Sequence, residues 1–178
     1  MIKELPPHLA DMAAFSLATG LRQKNVSFLK WDEVSLERGT AWVHADQSKT
    51  RKAIPVPLNQ DALRVLKKRL GRHAEYVFTF RGKPVAQTST KAWKKALKRA
   101  GIEDFRWHDL RHTWASWHVQ NGTSLQELME LGGWTTMLMV QRYAHLGGEH
   151  LKAAADRISG TISSQPHQFG ALKLVVSN

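Results

Sequence analysis

Trp107-His108-Asp109-Leu110-Arg111-His112-Thr113-Trp114 is the stretch on which the reading of this chain turns. His108 and Arg111 lie three residues apart, so on a helix they are neighbours on one face. At about 100° per residue, Arg111, His112 and Ala115 fall near His108, while Leu110, Trp114 and Trp117 fall on the far side. The spacing predicts a helix with an apolar face for the core and a narrow stripe able to handle protons and phosphate. The rest of the chain can be asked what it brings to that stripe.

Upstream, residues 5–19 carry helical periodicity and Gly20 stands where a helix should stop. A short helical segment follows over 22–29. The pattern then turns to alternation: Val34 and Leu36, then Ala41, Val43 and Ala45, then Ile54, Val56 and Leu58. With turns at Gly39 and at residues 46–51, this predicts a three-stranded antiparallel sheet whose second hairpin tip is basic. Pro55 and Pro57 make the third strand an edge or an ending. Helices are expected over 59–71 and 89–100, with a short strand over 76–80 and a turn over 81–84. Beyond the opening helix (108–121), Gly122 is the stop. Overlapping capping boxes at Thr123-Ser124-Leu125-Gln126-Glu127 start a helix through Leu131, which Gly132-Gly133 breaks. Two more helices are expected, over 136–145 and 149–158. The fold class is therefore α+β: mainly α-helical, with a small three-stranded antiparallel sheet near the N-terminal third. Residues 1–158 form one domain, and 159–178 form a tail that is flexible or docks in cis or in trans.

Composition narrows the partner. Among 178 residues, 26 Lys and Arg outnumber 15 Asp and Glu, a formal charge of +11. That excess points to a polyanion, nucleic acid before an anionic membrane surface, with a merely soluble basic surface as the plain alternative. No apolar run is long enough to span a bilayer, and Met1 is not followed by a signal-peptide pattern. With no cysteine, disulfides, thiolate metal sites and cysteine nucleophiles are excluded.

Four local features join the central helix. Arg22 directly follows the helix-ending Gly20; Lys49 sits on the hairpin tip; Trp134 offers an indole N–H just past a helix break; Tyr143 is one of only two tyrosines. Taken singly, each has an ordinary reading: a C-terminal cation, a solvated lysine, a core tryptophan, a surface aromatic. Tyr76, the other tyrosine, lies in an apolar strand pattern and reads as core.

Taken in order, these features resemble the tyrosine recombinase (phage integrase) family. The matching text is Ala18-Thr19-Gly20-Leu21-Arg22, Ser48-Lys49-Thr50-Arg51-Lys52 before Val56-Pro57-Leu58, and His108-Asp109-Leu110-Arg111-His112-Thr113. It continues with Leu131-Gly132-Gly133-Trp134 and Arg142-Tyr143-Ala144-His145. The match runs over residues 5–158, nearly the whole of that family's catalytic domain. The resemblance implies that Arg22 and Arg111 clamp the scissile phosphate, that His108 is the family's histidine, and that Lys49 is the lysine of the mobile hairpin. Trp134 takes the second-histidine position, and Tyr143 is the nucleophile. It further implies DNA strand cleavage and rejoining without metal or other cofactor. The implied partners are double-stranded DNA and copies of the same chain, a tetramer on DNA in a full-length protein, with a monomer open for a fragment. The setting is the cytoplasm of a bacterial or phage system, with no membrane. Two departures stand out. Many members carry an acidic residue three positions after the first arginine, where this chain has Asn25, and Trp134 can donate but not accept a proton.

The residue types suit that chemistry. Planar, permanently charged guanidinium forks match a phosphate whose equatorial charge grows in the transition state. A phenol with a pKa of about 10 needs a base and cationic surroundings, and His108 is the expected base and phosphate ligand. Lys49 can protonate the leaving 5′ oxygen. Lys91, Lys94, Lys95, Lys98 and Arg99 on one helix, with Arg51 on the hairpin, are expected to meet DNA phosphates.

Two other readings compete. His108 and His112 have the i, i+4 spacing of a helical zinc site with Asp109 between them, which would make a zinc hydrolase. There, Asp109 is one methylene short of the usual base and Arg111 would repel the metal, so His112 is expected instead as a structural or supporting residue hydrogen-bonded on its helix. The second alternative is a remnant or non-catalytic DNA-binding module. Members of the family usually carry an N-terminal core-binding domain. This chain's first helix begins within a few residues of Met1, so the expectation is an isolated catalytic domain without that partner domain.

Overall fold

The computed structural model describes residues 1–43, 54–147 and 155–159. Helix α1 (Pro7–Thr19) starts with proline at its first position, where a missing N–H costs nothing, and stops at Gly20, whose φ of 64° is left-handed. Arg22 caps the short α2 (Gln23–Ser27). Three strands follow, β1 (Val34–Ser35), β2 (Thr40–Val43) and β3 (Ile54–Pro57). They form the expected antiparallel sheet in the order β1-β2-β3, with Val34 opposite Ala41 and Ala41 opposite Val56. Alternation holds along β2: Ala41 and Val43 are buried and Trp42 is exposed. Pro55 and Pro57 lie on a strand paired only through β2 in that sheet, as their missing donors require.

Helix α3 (Gln60–Arg69) is capped by the Asn59 side chain, which accepts from the Ala62 N–H at 2.9 Å. The segment after it makes a small hairpin, β4 (Thr79–Phe80) with β5 (Lys83–Pro84), shorter than the strand expected over 76–80. Tyr76 pairs only through an isolated bridge to Lys30, and its ring is half-buried beneath the Lys30 ammonium. Helices α4 (Lys91–Arg99), α5 (Asp109–Gln120) and α6 (Leu125–Gly132) fall where periodicity put them. Ser124 and Glu127 form the expected capping box.

The helix expected over 136–145 is shorter. Helix α7 covers Met137–Gln141, and after Arg142 and Tyr143 a 3-10 turn runs over Ala144–Gly147. Only Val140 of α7 is fully buried, while Leu138 is 77% exposed. One buried side chain in a five-residue helix gives little reason to extend it. Most of the helix expected over 149–158, the hairpin tip with Lys49 and Arg51, and nearly all of the tail lie outside the described residues. No helix among the described residues is long and apolar enough to cross a membrane.

The apolar interior has two parts. The larger gathers α1, the sheet, α3 and α4 around Phe15, Phe78, Leu66 and Trp93, and reaches Leu110 at the start of α5. The smaller joins Trp114, Ala115 and Val119 of α5 to Leu128, Val140 and Tyr143. Trp117, expected on the core face of α5, is instead 49% exposed; only Leu110 and Trp114 of that trio are buried. The buried side of the helix runs through Arg111, Trp114, Ala115 and Val119, a stripe tilted away from Trp117.

Candidate active site

The strongest constraint at the site is steric. A Cβ on Gly20 would lie 2.3 Å from Cε3 of Trp114, and one on Gly132 would lie 2.0 Å from the Trp134 ring. Two glycines therefore let two indoles seat against backbone, and both leave their carbonyls facing the same guanidinium. Arg111 Nη1 donates to the Gly20 carbonyl at 2.5 Å and Nη2 donates to the Gly132 carbonyl. Its Cζ stands 4.1 Å from the centre of the Trp134 ring, in cation–π contact. Arg111 is only 6% exposed. Burial, helped by the nearby positive charge of Arg22 and opposed by Tyr143, lowers its pKa to about 10, so it stays charged at neutral pH.

Tyr143 follows α7, its N–H bonded to the Val140 carbonyl, and its ring packs 6.2 Å from Trp134, centre to centre. Its hydroxyl lies 2.5 Å from His112 Nδ1. His112 was expected to bond on its own helix; the structure turns its ring to the tyrosine instead. His108, at the N-cap of α5, is exposed, and its ring meets His112 edge-on at 5.0 Å. Asp109 is engaged elsewhere, pairing with Arg106 at 3.2 Å and accepting the Arg106 backbone N–H.

Burial and neighbouring cations favour the neutral form of both imidazoles. Burial first, then Arg111, lowers the pKa of His108; burial first, then His108 and Arg142, lowers that of His112, with Asp109 opposing in both. Burial raises the Tyr143 phenol, and Arg142 and Arg111 work against that rise. The result is a cleft of about 630 Å³ lined by Arg22, His108, Arg111, His112, Trp134 and Tyr143, with Arg142 at its edge. Five of the six residues expected to be catalytic thus converge, and Lys49 lies outside the described residues. Arg142 was not among the expected site residues, and His112 was expected only in a supporting role or, in the alternative reading, as a zinc ligand. For His112 the signal was available, since i and i+4 share a helix face with His108.

Among the described residues no three His, Asp or Glu side chains are grouped to hold a metal, so His108 and His112 lack the third ligand of the zinc alternative. Lys91, Lys94, Lys95, Lys98 and Arg99 are exposed on α4 and do not line the cleft; Arg99 is bound to Glu4 at 2.6 Å.

Comparison with known proteins converges on one group. The model of the phage integrase family matches residues 2–150. The integrase of Salmonella phage P22 is 46% identical over 177 residues, covering 90% of this chain and 46% of that protein. The chain thus spans about half the length of that curated relative. The catalytic domain of bacteriophage HP1 integrase, 25% identical, superposes with a TM-score of 0.66 over 94% of this chain and 92% of its own. XerH recombinase bound to its difH substrate in a pre-cleavage complex shares the fold, with a TM-score of 0.66 at 21% identity over 87% of this chain and 50% of that one.

Proposed function

Because this chain belongs to the phage integrase family, we propose that it is the catalytic domain of a site-specific DNA recombinase. In this reading it cleaves one DNA strand by attack of Tyr143 on a phosphodiester and rejoins strands by the reverse step. The observation that carries the reading is the cleft itself: a buried guanidinium, a second arginine, two neutral imidazoles and a tyrosine hydroxyl meet in one space.

Arg111 and Arg22 bind the non-bridging oxygens and neutralise the charge that builds on them as phosphorus becomes five-coordinate. Arg111 reaches that role held by two carbonyls, so little reorganisation is needed when DNA arrives. His108, exposed at the mouth, supplies a further donor to the phosphate. Trp134 stacks on Arg111 and keeps water from its face. Tyr143 forms the 3′-phosphotyrosine bond as the 5′ oxygen leaves, and Lys49, by its family position, gives that oxygen its proton. The covalent bond conserves the phosphodiester's energy, so rejoining by the 5′ hydroxyl calls for no nucleotide cofactor.

Double-stranded DNA is the proposed partner, supported by the charge of +11 and by the DNA in the XerH and Tn1549 integrase complexes whose fold this chain shares. Assembly of several copies on DNA, action in the cytoplasm and phosphate contacts from α4 and Arg51 belong to the same proposal. The test is covalent capture on nicked duplexes, in which the cleaved end diffuses away. The wild-type chain should give a DNA adduct stable in detergent and Tyr143→Phe none; an adduct with Tyr143→Phe would remove Tyr143 as the nucleophile.

A further inference from the structure

We propose that His112 is the proton acceptor for the Tyr143 hydroxyl during strand cleavage and its donor during rejoining. This inference rests on the strand-cleavage reading above and adds a residue to it.

The geometry is direct. Nδ1 of His112 and the hydroxyl of Tyr143 are 2.5 Å apart, within reach of proton transfer without rearrangement. Both groups sit in the same cleft as Arg22 and Arg111. A neutral imidazole has one acceptor nitrogen, and a phenol has one proton to give. In the tautomer proposed, with the imidazole proton on Nε2, Tyr143 donates to the Nδ1 lone pair. His112 lies in the first turn of α5, between the buried Leu110 and Trp114 that seat this end of the helix.

The charged and titratable groups around this imidazole set its state. On its own helix they are His108, Asp109 and Arg111; from the segment after α7 they are Arg142 and Tyr143 itself. Three potential cations against one carboxylate, together with partial burial, favour the neutral ring, which is the form able to accept. Arg142 and Arg111 stabilise a phenolate at Tyr143 and oppose the rise that burial imposes on its pKa.

The step balances. The Tyr143 O–H bond breaks, its proton moves to Nδ1, and the oxygen's electron pair forms the new bond to phosphorus. The bond from phosphorus to the 5′ oxygen breaks, and that oxygen takes a proton from a separate acid. In rejoining, the 5′ hydroxyl gives its proton back to the conjugate base of that acid as its oxygen bonds to phosphorus, the bond from phosphorus to the Tyr143 oxygen breaks, and the imidazolium of His112 returns its proton to the departing phenolate. His108 then serves as a phosphate donor, and the two imidazoles divide the work.

The experiment uses the full chain and a pool of end-labelled nicked duplexes of randomised sequence, with adduct formation followed against pH. His112→Asn keeps a hydrogen-bond acceptor for the hydroxyl but cannot take its proton at these pH values; His112→Ala removes both. We expect Asn and Ala variants to form adduct on the order of 10²–10⁴-fold more slowly, with added imidazole accelerating the Ala variant. We also expect the acid limb of the wild-type profile to vanish in the Asn variant. An Asn variant within threefold of wild type, with the same acid limb, would overturn the proposal by showing that placement of the hydroxyl suffices. A second measurement needs no DNA: the Nδ1 nitrogen shift of His112 should move on Tyr143→Phe, and an unchanged shift would count against the bond. If the wild-type chain gave no adduct with any duplex while that shift moved as expected, the strand-cleavage reading would fail and the hydrogen bond would stand.

Discussion

Gly20→Ala is the most direct probe of how the site is built. The added methyl would lie 2.3, 2.4 and 2.8 Å from three atoms of the Trp114 indole, and the residue would hold a φ of 64°. The left-handed conformation alone costs a non-glycine residue about 1–2 kcal/mol, partly offset by the stiffer unfolded chain. Overpacking against a buried ring adds about 1–3 kcal/mol. Gly71 separates the two contributions: its φ is 72°, but nothing stands within 4 Å of a Cβ there. Gly20→Ala should therefore be less stable than Gly71→Ala by about 1–3 kcal/mol. With a urea m-value of about 2 kcal/mol/M, that is a midpoint lower by about 0.5–1.5 M. In a Trp114→Leu background the excess should shrink toward zero, since the obstacle is gone. Equal midpoints for the two alanine variants, or an excess that survives Trp114→Leu, would refute the steric argument.

Three further outcomes follow from the same geometry. Arg111→Lys replaces a fork that reaches two carbonyls by one ammonium, so it should lose about 1.5–3 kcal/mol of stability in denaturant melts and at least tenfold in adduct yield. Ser124→Ala removes the capping box of α6 and should cost about 0.5–2 kcal/mol, with faster amide exchange confined to residues near 125–134. Acid should weaken the fold through His108, His112 and His118, whose folded pKa values all lie below the ordinary 6.5. Below 6.5 the unfolded chain takes up protons that the folded chain refuses, so stability present at pH 7.5 is lost as the pH falls through the lower folded values. A Tm that rises on going from pH 7.5 to 5.5 would contradict this.

Much of the architecture could be read from local punctuation. Gly20, Gly122 and Gly133 all take positive φ at helix ends, and Asn59 and Ser124 cap the helices that their positions announced. Pattern reading failed where one contact outweighs periodicity. Trp117 fits the apolar side of a helical wheel, yet the buried stripe of α5 passes through Arg111, whose charge is tolerated because two carbonyls face it. The segment after Thr136 looked like three turns of helix and gives barely more than one, because Val140 is its sole fully buried anchor. In the site, the five residues that the resemblance picked out within the described chain, Arg22, His108, Arg111, Trp134 and Tyr143, line one cleft. The pairing of His112 with Tyr143 was not legible, since 31 positions of sequence separate them and only the packing of α6 and α7 onto α5 closes that distance.

Arg111 has a consequence for when this chain becomes able to act. Gly20 ends α1, whose Phe15 packs in the larger interior, and Gly132 ends α6, whose Leu128 packs in the smaller; Arg111 holds the carbonyls of both. One side chain is thus a cross-tie between two interiors, and Tyr143 belongs to only the second of them. With only the first interior in place, Arg111 would keep one of its two carbonyl partners. Loss of the second interior would therefore free Arg111 from Gly132 and take Tyr143 away from Arg111 in the same event.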